Sequence, residues 1–341
     1  SDAFVLFSGN YRLDSREKDR FFQKMDNTPN KLGPIRIGLM LIDGFALMSY
    51  SAVVEPLRAA NLLAERPLYH IRHIAEYGSR ATSSSGATIN ATAYVGEHVD
   101  FDILFIIAGG DPTNFKDQRV FQWLRHIANR GVTLAGISGG PVVLAAAGVM
   151  EDRRMTVHWE HAGLLAEISP NLQIERTLYV IDRDRITCAG GIAPLDLMNA
   201  LITEHHGAKF AQQVSDWYMH TEVRPSGGPQ RAGITERYGT TSQAVVLSIE
   251  AMENHIVDPL TLSQLALLTG ISPRQLNRLF RFKLNQSTMD FYRNLRLEKA
   301  RGLLMRSPLP INQIANATGF SSPAHFSHCF GIRYGQSPNS L

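Results

Sequence analysis

Near its carboxyl end the 341-residue chain writes one pattern twice. Leu262, Leu265, Ala266, Gly270 and Ser272 recur 49 positions later as Ile311, Ile314, Ala315, Gly319 and Ser321. Past the turn the offset becomes 50, with Phe280, Lys283, Gln286 and Ser287 recurring as Phe330, Arg333, Gln336 and Ser337. The extra residue is expected at the start of the second unit's last helix. A repeat this regular is one supersecondary unit used twice.

Each unit reads as a helix-turn-helix. Leu262, Leu265, Ala266 and Leu268 are apolar at helical spacing, and Gly270 suits a turn with positive φ. Ser272 then caps the next helix, with Pro273 at its first position. Leu276, Leu279 and Phe280 take one side of that helix; Arg274, Asn277, Arg278 and Arg281 are left for the other. In the second unit Gly319 turns, Ser321 or Ser322 caps, Phe326 and Phe330 face inward, and Ser322, Pro323, His325 and His328 stay outside. In such a motif the second helix enters the DNA major groove. Arg can bind guanine and Asn adenine in a bidentate manner, so Arg274, Asn277, Arg278 and Arg281 are the candidate base readers of the first unit. Charge agrees. Residues 242–341 hold ten Lys/Arg against five Asp/Glu, a net +5 in a chain whose whole net charge is +3.

A helical run, Thr288 to Met305, joins the units. Its Leu-Arg-Leu-Glu-Lys-Ala-Arg (295–301), the later Gly-Phe-Ser-Ser (319–322), His325-Phe326-Ser327 and the closing Gly335-Gln336-Ser337-Pro338 resemble the AraC/XylS family. That resemblance implies two readers held by a rigid connector, meeting successive major grooves roughly 34 Å apart. The family pattern is broken at His328 and Gly331, where basic residues are usual, so base reading is expected mainly from the first unit.

The remaining chain is long enough for a second domain with its own core. Ile35 to Ile42 reads as a buried parallel strand, followed by a turn at Asp43-Gly44 and a helix from Ala46 to Ala64. Strands are expected at Tyr69–Ala75, Phe101–Ile107, Thr133–Ile137, Arg154–Val157, Tyr179–Asp182 and from Ile186. Helices are expected at Phe115–Arg130, Val142–Ala147 and Pro194–His205, with a Ser/Gly stretch from Gly78 to Gly86. The alternation predicts an α/β fold: a flavodoxin-like, mostly parallel sheet domain, followed by an all-α domain with two helix-turn-helix motifs. The expected organisation is an extension over 1–34, a sheet domain over 35–223, a Pro/Gly-rich linker over 224–241, partly ordered at most, and a DNA-binding domain over 242–341. Asp14 to Lys24 alternates charges and reads as a solvated helix or a flexible arm.

In the sheet domain Ser138 occupies a sharp strand-to-helix junction, Gly136-Ile-Ser-Gly-Gly-Pro141. The N–H groups after it, Gly139 first, are expected to face a ligand. Gly110 and Asp111 close a neighbouring strand; Asp111 either lines the same pocket or caps the next helix. The junction, with Asp43-Gly44, Glu55-Pro56, Gly109-Gly110, Ala147-Gly148 and Arg153-Arg-Met-Thr-Val-His158, resembles the PfpI-like branch of the class I glutamine amidotransferase superfamily. Catalytic relatives carry Cys at the elbow, with a Glu and a His near it. Ser138 stands there in this chain, and the resemblance puts Glu55 and His158 at the partner positions. A hydroxyl, unlike a thiol, is not primed by a helix terminus and needs an aligned base. The expectation is a pocket kept for sensing rather than an enzyme. The alternatives are a PfpI-like hydrolase or glyoxalase-type catalyst using Ser138, and a mere helix cap.

A PfpI-like domain fused to an AraC-type tail resembles the GlxA-like regulators, which include regulators responding to arginine, glycine betaine or carnitine. Glu55-Pro-Leu-Arg-Ala-Ala-Asn61 and His158-Trp159-Glu160 carry that likeness. It implies a transcription regulator of double-stranded DNA, with activation the expected sense. A small amino acid or quaternary amine would control it, and the sheet domain would make a homodimer. Glu55, Gly110, Asp111, Ser138, Gly139, His158 and Trp159 are the candidate ligand residues; a cationic amine would suit Glu55 or the Trp159 face. No metal spacing, phosphate-binding glycine motif or cofactor signature is present. His205-His206 ends a helix, where imidazolium would favour the dipole. No apolar run is long enough to span a membrane, the opening residues do not read as a signal peptide, and Cys188 and Cys329 fall in different halves. A reducing cytoplasm is therefore the expected compartment, with no membrane partner.

Overall fold

Ile35–Leu41 forms strand β1, an interior strand of a seven-stranded sheet. Its apolar run reflects cover on both faces. Ile37, Leu39 and Leu41 enter one core, while Met40 and the following Ile42 enter another on the opposite face. The structure is a computed structural model and describes residues 33–97, 100–306 and 309–340. The extension expected over residues 1–34 lies almost wholly outside them.

After β1 come helix α1 (Leu47–Leu63), β2 (Tyr69–Ala75), β3 (Arg80–Thr82), β4 (Thr88–Asn90), β5 (Ala93–Tyr94) and β6 (Ile103–Ala108). A 3-10 turn (Pro112–Asn114), α2 (Gln118–Asn129), β7 (Thr133–Ser138), α3 (Gly140–Ala146), β8 (Arg154–Thr156) and α4 (Trp159–Ile168) follow. The layer closes with β9 (Gln173–Glu175), β10 (Tyr179–Asp182), β11 (Arg185–Cys188), α5 (Ala193–His206) and α6 (Ala208–Trp217). The sheet order is β10-β11-β7-β6-β1-β2-β5, parallel throughout except for β10 against β11. The chain leaves β1 toward β2 and returns to β6 on the other side. That reversal makes the carboxyl ends of β1 and β6 the switch point at which sheets of this kind form their ligand crevice. The Ser/Gly stretch holds a short antiparallel hairpin, β3 with β4; α4 and β9 have no clear periodic signal in the sequence, whereas α6 carries Phe210, Ala211, Val214 and Trp217 at helical spacing.

The helical half comprises α7 (Ile234–Tyr238), α8 (Gln243–Asn254), α9 (Leu262–Thr269), α10 (Pro273–Leu284), α11 (Thr288–Arg306), α12 (Ile311–Ala317) and α13 (Pro323–Tyr334). Both repeats are there, α9–α10 and α12–α13. Thr261 with Gln264, and Ser272 with Gln275, make reciprocal capping boxes that start α9 and α10. Gly270 and Asn285 end them in the left-handed region. Ser322, and not Ser321, caps α13. Since α10 and α13 both run twelve residues from a proline, the inserted residue falls in the second unit's turn and not inside its last helix. Each unit has its own core. Leu265, Leu276 and Phe280 pack with Phe291 and Tyr292; Ile314, Phe326 and Phe330 pack with Leu297 and Ala300.

The segment read as a loose linker is held along its length. Asp196, fully buried, accepts hydrogen bonds from Arg224 N (2.8 Å), Nε (3.0 Å) and Nη2 (2.6 Å), and pairs with His220 Nε2 at 3.0 Å. Leu178 N donates to Ser226 O, and Gln230 Nε2 donates to Val157 O and Thr177 O. Ile234 and Tyr238 then enter the core of the first helix-turn-helix. Side chains anchor what a loop-like composition suggested would be free.

Candidate functional site

The elbow after β7 is built by exclusion. Ser138 has φ +59°, a left-handed conformation costing a non-glycine residue about 1 kcal/mol or more. Its neighbours leave no other path. A Cβ on Gly136 would stand 2.5 Å from Pro141 N, and one on Gly140 would stand 2.0 Å from Ile106 O. A Cβ on Gly190 would lie 2.6 Å from Ser138 Cβ. The strand turns straight into α3, and Ser138 is left half-buried at the sheet's carboxyl edge. Ser138–Gly139 and Gly110–Asp111 thus meet at the ends of β7 and β6. The Gly139 N–H, expected to face a ligand, instead donates to Ala108 O at 3.0 Å. Asp111 is a cap: its carboxylate accepts from Thr113 N (3.1 Å), Thr113 Oγ1 and Asn114 Nδ2 (2.9 Å). Gly110, at φ +60°, is exposed and open above the crevice.

Glu55 is not at the elbow's side of α1. Its carboxylate receives Arg58 Nε at 2.7 Å and Tyr218 Oη at 3.2 Å, and burial beside it pushes the Tyr218 hydroxyl up to about 12. The residue of α1 that approaches the crevice is Ser49, fully buried, with Oγ 3.4 Å from Gly191 O. Six helical residues separate the two positions, about 9 Å along the axis and well round the helix. The resemblance put Glu55 at the partner position, and no motif in the sequence singled out Ser49, which the fold brings to Gly191.

His158 caps α4: its Nδ1 accepts from Glu160 N at 3.3 Å. The same Nδ1 lies 4.0 Å from Glu160 Oε2. Glu55 and His158 thus spend these bonds away from the elbow, and among the described residues the Ser138 hydroxyl makes no side-chain hydrogen bond. Trp159 is 40% exposed, and its indole carries the Arg231 guanidinium at 4.2 Å. The aromatic face proposed for a ligand cation is already holding one from the chain itself. Cys188 is fully buried, and burial pushes its thiol up to about 12, out of reach of nucleophilic chemistry.

On the helical half, Arg274, Arg278 and Arg281 are exposed along α10, beside exposed Lys283. Asn277 is half-buried and differently employed: its Oδ1 accepts from Thr288 N at 3.0 Å, tying α10 to the start of α11. That bond holds the Asn277 side chain toward α11, which leaves base reading chiefly to the exposed arginines. Pro323, His325 and His328 are exposed on α13, whereas Ser322 spends its hydroxyl on His325 N.

Residues 265–341 match a family described as a helix-turn-helix domain, and residues 35–204 match the DJ-1/PfpI family. The HTH-type transcriptional regulator GlxA of Rhizobium meliloti is 47% identical over 90% of this chain and 95% of its own length. The chain belongs to the AraC/XylS family of transcriptional regulators, in the group with a PfpI-like amino-terminal domain. The HTH-type transcriptional regulator CdhR of Pseudomonas aeruginosa is 39% identical over 88% of this chain and 89% of its own. A crystal structure of an AraC family transcriptional regulator from Pseudomonas putida superposes with TM-score 0.50 at 27% identity, covering 54% of this chain and all of that one. This AraC-type protein is accordingly a DNA-binding regulator of transcription and not an enzyme, though the DJ-1/PfpI fold also includes enzymes. No described helix is long and apolar enough to cross a membrane.

Proposed function

We propose that this regulator responds to a small cationic or zwitterionic metabolite held between the Ser138 elbow and the His158–Trp159 corner. The occupied Trp159 face carries the reading. A guanidinium seated 4.2 Å from the indole centroid supports a surface suited to a delocalised cation, for which Arg231 would be the internal competitor. Ser138 Oγ and Gly110 supply polar and open surface at the neighbouring strand ends; Glu55 and Gly139, with their groups engaged, do not contribute directly. Arg231 follows Gln230, which is bonded to Val157 O and Thr177 O, so a ligand displacing Arg231 would loosen the segment leading to the readers. On the far side of that path, Lys299 Nζ of α11 reaches Glu160 O of α4 at 3.4 Å. A homodimer through the α1–α6 side fits the exposed Met48, Leu62, Trp217 and Met219. DNA reading is assigned to Arg274, Arg278 and Arg281, with Pro323, His325 and His328 making shape and phosphate contacts.

Calorimetric titration of the full chain with amino acids and betaines tests the effector. One of them should bind, and Arg231→Ala should bind it more tightly because its internal competitor is gone. Weaker binding by Arg231→Ala, or no heat with any cationic metabolite, would remove the reading.

A further inference from the structure

The two helix-turn-helix units are equal in fold but unequal in their surroundings. A Cβ on Gly270, the turn glycine of the first unit, meets nothing within 4 Å. A Cβ on Gly319, its counterpart, would stand 2.5 Å from Ile256 O and 2.6 Å from Pro259 Cγ. The second unit's turn is thus pressed directly onto the loop that enters the first. Tyr292 of α11 fastens that same loop: its hydroxyl donates to His255 O and accepts from Leu260 N at 3.3 Å.

Arg296 sits one turn further along α11. Its Nη1 donates to Gly319 O at 2.7 Å, and its guanidinium lies 4.6 Å from the Phe320 ring centroid and 5.7 Å from that of Tyr292. Phe320 is buried, and its counterpart by the 49-residue offset, Ile271, has no such platform role. Leu295 packs with the first unit's core and Leu297 belongs to the second's, so Arg296 stands at the boundary between two cores that share no residue. A single helix fixes how far apart two attached units are. It does not by itself fix how each is rotated about the helix; that needs a contact off the axis.

We propose that Arg296, stacked between Tyr292 and Phe320 and bonded to the Gly319 carbonyl, is the positioning residue that sets the mutual angle of the two DNA readers. It thereby sets the separation of the base contacts that one chain accepts. Arg296 does not touch DNA in this role. It locks the turn of the second unit against the Ile256–Pro259 loop, and that lock selects one spacing.

The test uses the full chain. Genomic fragments bound by the wild-type protein supply the sites, from which a library is made with base pairs added or removed between the two major-groove contacts of one chain. Wild type should retain a single separation. Arg296→Met keeps the length and apolar body of the side chain but loses the bond and the charge. It should accept neighbouring separations and lose about tenfold on the parent site. Arg296→Lys, which keeps one donor, should fall between them. Arg301→Ala, removing an exposed stack on Tyr334 (5.2 Å) away from the joint, should keep the wild-type separation. Gly319→Ala should broaden the selection as Arg296→Met does, whereas Gly270→Ala, strained only in its own φ, should not. If Arg296→Met melts the second core, Arg296→Lys decides. A folded variant of either kind that weakens binding but keeps a single separation would overturn the proposal, leaving Arg296 a stabiliser only.

Discussion

Ser138 and His205 show how far burial departs from what a side chain's type suggests. At φ +59° the elbow residue is strained, so Ser138→Gly is expected to stabilise the fold by up to about 1 kcal/mol. Ser138→Val should destabilise it, since a β-branched residue is poorly tolerated at φ +59°. Urea unfolding at neutral pH reads both. His205 was expected as an imidazolium favouring a helix terminus. Instead burial, with His206 beside it, pushes it down to about 4, and its Nδ1 lies 3.0 Å from the Tyr69 hydroxyl. The unfolded chain therefore takes up the proton first as pH falls. The stability held by the neutral ring is complete above about 6.5 and drains away between 6.5 and 4, with on the order of 2 kcal/mol gone by pH 5. Unfolding measured at pH 7 and pH 5 should show this loss in wild type and lose that component in His205→Phe.

At the scale of elements, the connecting segment is the part that composition misdescribed. Pro, Gly and polar residues between 224 and 241 predict a chain without partners, and nothing local to them announces otherwise. The partner is Asp196, placed inside α5 and fully buried. A buried carboxylate whose Oδ2 takes both Nε and Nη2 of Arg224 is costly to break, so Asp196→Ala should destabilise the sheet domain by about 3–5 kcal/mol. It should also open a new site of limited proteolysis between Met219 and Gln230. Unchanged cleavage there would mean that the Leu178–Ser226 bond and Gln230 suffice to hold the segment. Helices α9 to α13, by contrast, were legible nearly to the residue, because capping and turn signals are written in adjacent positions.

For the whole molecule, the positive excess lies in the helical half, and its exposed members carry different duties. Arg278→Ala should cost roughly 1–3 kcal/mol of discrimination at a single base position, seen as a relaxed footprint. Lys283→Ala should weaken all sites nearly alike and reduce the slope of log affinity against log salt by about 1. If the two substitutions exchange these signatures, the base-reading and phosphate-contacting assignments on α10 are reversed. The sheet half contributes no such charge; it contributes a crevice at a reversal of strand order and a held segment leading from it.

What the order of residues determined alone was everything carried by short-range physics. Unbroken apolar runs made the central strands, and helical spacing with Ser and Gly at the boundaries made the two readers. The glycines around Ser138 marked the sharp turn after β7. What tertiary structure decided was where polar groups spend their bonds: Asn277 on the start of α11, Gly139 on Ala108, Glu55 on Tyr218, Arg231 on Trp159 and Arg296 on the far turn. Each of these pairs spans at least 11 positions, and most span far more. A hydrogen bond or a stacked cation depends on the final placement of both partners to within a fraction of an ångström, and no local pattern encodes that.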